Sequence, residues 1–113
     1  MSELKENEIC IGNYLMELTS DDIFTVSSSW FSCIDVNILC SRPIPLTEEW
    51  LLNLGFEKIR EYFTIDNEFD VFVNESGFYT HINCGNIILS SVNQLQNLYF
   101  ALTGKELTHQ KIN

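Results

Sequence analysis

The chain is short of positive charge: six Lys and Arg stand against 16 Asp and Glu, a formal net charge of −10 at pH 7. Such a balance repels phosphates, so direct binding to DNA or RNA is not expected, whereas a basic partner would be attracted over long range. Apolar runs are only a few residues long, which excludes a membrane-spanning helix. The opening MSELKENEIC is polar and acidic and lacks the basic-then-apolar order of a secretory signal. The five glycines are scattered (Gly12, Gly55, Gly77, Gly85, Gly104), so no phosphate-cradling loop is expected. Four cysteines (Cys10, Cys33, Cys40, Cys84) contain no CxxC pair. They read as buried free thiols of a cytoplasmic protein, with no structural zinc.

What is present is a globular composition: 113 residues, 45% hydrophobic and 12% aromatic. That suits a single domain over 1–113 with a core of its own, its polar ends 1–8 and 107–113 frayed. Glu8 to Leu18 alternates, with Cys10, Gly12, Tyr14, Met16 and Leu18 on one face, as a strand does. Ile23 to Phe31 is rich in β-branched and aromatic residues. CIDVNILC (33–40) sets Ile34, Val36 and Ile38 in alternation, which predicts a third strand. After Pro43 and Pro45 the period changes. Thr47 is an N-cap, Glu48 and Glu49 suit the positive helix end, Leu46 and Leu51 have staple spacing, and Gly55 suits a left-handed stop with Phe56 packing back on Leu51.

The strand period then returns, with Ile59, Phe63 and Ile65 as its apolar points. Phe69, Val71 and Val73, the turn NESG, and Phe78, Thr80, Ile82 and Cys84 form a hairpin pattern, and Gly85-Asn86 suits a further turn into IILS. In SVNQLQNLYFALTG, Ser91 and Gln94 form a capping-box pair. Val92, Leu95, Leu98, Tyr99 and Leu102 fall on one helical stripe, Gly104 is the stop, and Asn93, Gln96, Asn97 and Thr103 lie off the stripe toward solvent. The expected fold is α+β: a small antiparallel sheet or meander, open or curled toward a barrel, with one short middle helix and one C-terminal helix packed on the sheet.

No motif supplies catalysis. Asp66, Glu68 and Asp70 begin like a calcium loop, but Val71 stands where the loop needs Gly and Gly77 where it needs a bidentate Glu. They read instead as an acidic strand face, whose alternate residues sit roughly 6.6–6.8 Å apart, close to the spacing of successive phosphates on one strand. His81 shares its face with Tyr79 and Asn83 and lacks a neighbouring nucleophile; His109 lies in the polar tail. Ser27 to Trp30 lacks the glycines of a nucleophile elbow. A non-enzyme without cofactor, metal or small-molecule ligand is expected.

Three segments, IGNYL, PIPLTEEWLLNLGF and NQLQNLYFALTGKEL, occur in the order in which similar strings occur in a family of small uncharacterised proteins from Bacteroides-type bacteria, their phages and prophages, which the chain resembles. The motif positions Thr47, Glu48, Trp50, Leu51, Gly55, Leu95, Leu98, Tyr99, Phe100 and Gly104 read as structural. With the acidity, the resemblance implies a phage-type accessory protein, working in the host-cell cytoplasm, that binds and inhibits a host defence enzyme such as a CRISPR effector at a basic nucleic-acid-binding surface. Asp66, Glu68, Asp70 and Glu75 would meet Lys and Arg of that partner, with Trp30 or Phe31 as anchors where they are exposed. The alternative is a self-associating structural or regulatory module.

Overall fold

The computed structural model describes residues 8–20, 22–66, 68–82 and 85–109. It is an α+β fold with two antiparallel sheets and four short to medium helices among those residues. The first sheet has the order β2-β1-β3, built from Tyr14–Glu17 (β1), Ile23–Thr25 (β2) and Ser41–Arg42 (β3). Two helices, α1 (Ser28–Ser32) and α2 (Ile34–Leu39), lie between β2 and β3. After α3 (Glu48–Asn53) comes an open five-stranded meander in sequence order: β4 (Glu57–Ile59), β5 (Tyr62–Ile65), β6 (Phe69–Asn74), β7 (Gly77–Ile82) and β8 (Gly85–Leu89). The chain closes with α4 (Val92–Thr103).

The sheet is not closed into a barrel. Its inner face and the buried sides of α3 and α4 form the main core, with Leu51, Phe63, Val71, Leu89, Val92, Leu95 and Tyr99 sealed from solvent. A second core of Ile9, Leu15, Val26 and Trp30 lies beneath the small sheet. Strand β1 serves both. Alternation sends Tyr14 and Met16 into the main core and Leu15 into the second, so one four-residue strand ties the halves together.

Both ends of α3 form as their residues dictate. The Thr47 hydroxyl accepts from the Trp50 N–H at 3.2 Å. At the other end Gly55 turns left-handed (φ 104°), the Phe56 N–H donates to the Leu51 carbonyl and the Gly55 N–H to that of Leu52. That pair of bonds satisfies carbonyls the helix would otherwise leave open. Leu46 and Leu51 are both buried in the main core, as a staple requires. The NESG hairpin forms with Asn74 opposite Gly77, although Val73 at its tip is exposed.

Several expectations are corrected. Residues 34–39 are helix, not strand. Trp30, Ile34 and Ile38 recur every fourth residue and all pack on the second core, while Val36 and Leu39 face solvent, so the helical period decides. Of 8–18 only Tyr14–Glu17 is strand, and Ile23–Phe31 gives a three-residue strand before α1. Glu57–Ile65 folds as a hairpin through Arg60 and Glu61. Gly85 and Asn86 open β8, paired with Ile82 and His81. Cys10, Cys33 and Cys40 are exposed; Cys84 lies outside the described residues.

The largest correction concerns α4. Its stripe is buried at Val92, Leu95 and Tyr99, but Leu102 is 50% exposed, while Asn93 and Gln96, expected in solvent, are only 3% and 6% exposed. They belong to an amide cluster that fastens both ends of the described chain. Gln96 Oε1 accepts from the Tyr14 N–H (2.9 Å), and its Nε2 donates to the carbonyls of Gly12 (3.0 Å) and Leu107 (3.1 Å). Asn93 and Asn97 both donate to the Glu8 carbonyl, and Asn13 donates to Asn97 Oδ1 at 2.9 Å. Glu8 and Leu107–His109 are therefore held rather than frayed. Leu107 is buried, and the His109 N–H donates to the Tyr14 hydroxyl at 2.8 Å with its ring edge-on to Trp50. The rest of the two ends expected to fray, 1–7 and 110–113, lies outside the described residues.

Candidate functional site: the outer face of the five-stranded sheet

Helix α4 covers one face of the meander, and alternation along each strand would ordinarily make the other face polar. It is not. The strand registers set Ile59 opposite Tyr62, Tyr62 opposite Phe72, Phe72 opposite Tyr79, and Tyr79 opposite Ile88. An apolar row thus crosses all five strands on the outer face, with Ile88 64% exposed and the three rings half-buried. The Tyr62 and Phe72 centroids are 5.6 Å apart at 36°, and those of Phe72 and Tyr79 5.6 Å apart at 30°. His81 stands edge-on to Phe72 (5.4 Å) and Tyr79 (5.7 Å).

The adjoining row on this face is polar. Glu57 pairs with Thr64 and Thr64 with Asp70, while His81 pairs with Asn86 on the far strands. Asp70 stands two residues from Phe72 on β6, so its carboxylate borders the central ring on the same side. Neither Asp70 nor Glu57 has an ion pair among the described residues. The buried Thr64 hydroxyl between them has no hydrogen-bond partner there.

The six residues singled out from sequence are not gathered in one place. Asp66 and Glu68 lie in the β5–β6 turn, where Asp66 adopts a left-handed conformation (φ 54°). The regular row of strand carboxylates is therefore not formed, and of those three acids only Asp70 is in a strand. Both turn acids are drawn to Lys105, which approaches Glu68 at 3.0 Å and Asp66 at 3.8 Å. The Glu68 carboxylate, by hydrogen bond and by charge, raises the Lys105 pKa above its ordinary value. Glu75 occupies the turn at the opposite end of β6, roughly 17 Å away along a six-residue strand. Trp30 is buried in the second core and Phe31 packs edge-on against it at 5.2 Å, so Trp30 is a core side chain rather than an exposed anchor.

Sequence reasoning missed Tyr62, Phe72 and Tyr79. A signal existed: Phe72 directly follows the core residue Val71, and Tyr79 lies between Phe78 and Thr80, so each occupies a position where a solvent-facing strand normally carries a polar side chain. A pocket of about 170 Å³ lies between the Cys10–Asn13 segment and α4, walled by Gln96, Phe100 and Leu107. It falls below the roughly 300–1,000 Å³ typical of small-molecule sites. Among the described residues no group of three or more His, Cys, Asp or Glu is placed to hold a metal ion, and no helix is long and apolar enough to cross a membrane. Comparison with protein-family models, curated proteins and solved structures returns no match for this chain.

Proposed function

We propose that this protein is a non-enzymatic, acidic binding module that docks on a basic protein surface. In its finer form, the partner is a nucleic-acid-handling host defence enzyme of the CRISPR-effector kind, inhibited by occupation of its basic channel. The observation that carries the reading is the outer sheet face, a row of aromatic and aliphatic side chains that no described element covers, bordered by the carboxylates of Asp70 and Glu57, which have no ion pair among the described residues. Apolar rows left open on a small domain mark interaction surfaces, and rings supply the anchoring contacts at such interfaces. The net charge of −10 steers that face toward cationic surfaces. The finer form rests on the resemblance to phage and prophage proteins.

The test is binding to purified CRISPR effector nucleases, together with their DNA cleavage, at low and high salt. Binding that weakens steeply with salt and blocks cleavage is expected. Affinity indifferent to salt would sink occupation of a basic channel, and absence of binding to any effector would sink the finer form.

Strand β8 favours a second reading, self-association. It is a sheet edge without a charged residue, whereas the opposite edge carries Glu57 and Lys58. Against it, the Gln94 amide donates to the Ile88 carbonyl at 2.9 Å and covers part of that edge. Light scattering that shows a strict monomer at micromolar concentrations would end this reading.

A further inference from the structure

A sheet face that presents rings beside carboxylates can be matched by more than one cation, and the two chemistries differ. A lysine ammonium is a compact, strongly hydrated point charge. An arginine guanidinium is planar and weakly hydrated, and it can lie flat on a ring while its edge N–H groups donate to a carboxylate in the same plane. The outer face offers both halves of the second arrangement. Phe72 is flanked at 5.6 Å on either side by Tyr62 and Tyr79, at shallow angles. Asp70 borders it on the same strand and face, two residues away, and no described cation pairs with it. Single-stranded nucleic acid also stacks on aromatic rows, but its binders pair the rings with a positively charged groove, and here the adjoining row holds Glu57 and Asp70 with Thr64, His81 and Asn86, and neither Lys nor Arg.

We infer that this face recognises arginine specifically: a guanidinium of an arginine-bearing partner segment packs against the Tyr62–Phe72–Tyr79 row, while its edge N–H groups donate to the Asp70 carboxylate. The inference rests on the binding-module reading above and names the side chain which that module takes.

An arginine–glycine repeat peptide and a lysine–glycine peptide of equal length are titrated into the full chain, with NMR following the ring signals of Tyr62, Phe72 and Tyr79. The arginine peptide binds about three-fold or more tighter than the lysine peptide and shifts those rings. Phe72→Leu, which keeps an apolar side chain and loses the π face, and Asp70→Asn each abolish the preference; Glu75→Gln, at the strand turn, leaves it intact. Circular dichroism of each variant confirms that it is folded. Equal affinity for the two peptides overturns arginine recognition while leaving a basic partner standing. No binding of either peptide overturns both readings. Tighter binding of an oligothymidylate than of the arginine peptide overturns the inference in favour of base stacking.

Discussion

Gln96 shows what one amide can do from the side of a helix. Its three hydrogen bonds run to Tyr14, Gly12 and Leu107, so a single side chain joins β1, the segment before it and the chain after α4. Two of those partners, the Tyr14 N–H and the Leu107 carbonyl, are buried with it. Gln96→Ala would leave both unpaired, at about 1–3 kcal/mol each. Urea denaturation of this variant should show a loss well beyond the ±0.5 kcal/mol or so of a surface substitution. A change inside that margin would mean that water replaces the amide and that the cluster carries little. The apolar side of the same helix sets the scale. Leu95→Ala, at a fully buried site, should cost about 2–5 kcal/mol, and Leu98→Ala, at a partly buried one, clearly less.

At the scale of elements, the segments that formed as expected are those whose signals are local and redundant. Helix α3 has a capping hydroxyl, a staple and a left-handed glycine, so its ends do not depend on distant partners. Gly55→Ala tests this. An L side chain at φ 104° costs about 1–2 kcal/mol, and the loss should appear as a lowered urea midpoint with an unchanged m-value. A changed m-value would show that the C-cap also governs how compactly the chain folds. Helix α2 went the other way because Ile34 and Ile38 satisfy a period of two and a period of four equally well. The helical reading becomes visible only when Trp30, across the break at Cys33, is counted in the stripe. The amides of α4 were misplaced for a related reason: polarity alone suggested solvent, and only the packing of residues 8–14 and 107–109 supplied buried partners. Asp70 was legible as a candidate. The ring row beside it needed four strand registers at once, which no single segment encodes.

For the whole molecule, the same surplus of carboxylates that would draw a basic partner also sets how stability responds to alkali. Burial raises the Tyr99 phenol above its ordinary value of 10.0, and the Asp66 carboxylate adds to the effect. The hydrogen bond and charge of Glu68 raise Lys105 above 10.5. Both groups hold their protons more tightly folded than unfolded, so the folded state binds more protons in that range. Their contribution is complete below the unfolded values and is lost as pH rises through the higher folded ones. The urea midpoint should therefore hold steady from neutrality to about pH 9 and fall above about pH 10. General self-repulsion predicts an alkaline fall as well, since deprotonating lysines leaves the chain more negative still. The two causes separate by variant and by salt. Tyr99→Phe removes the buried phenol without altering the charge at neutral pH, so its alkaline fall should be shallower than that of the wild-type chain at every salt concentration. Added salt screens the repulsion between exposed charges but leaves the desolvation of a buried phenol in place. An alkaline fall identical in Tyr99→Phe and wild type, and abolished by salt in both, would assign it to net charge and remove Tyr99 from the account.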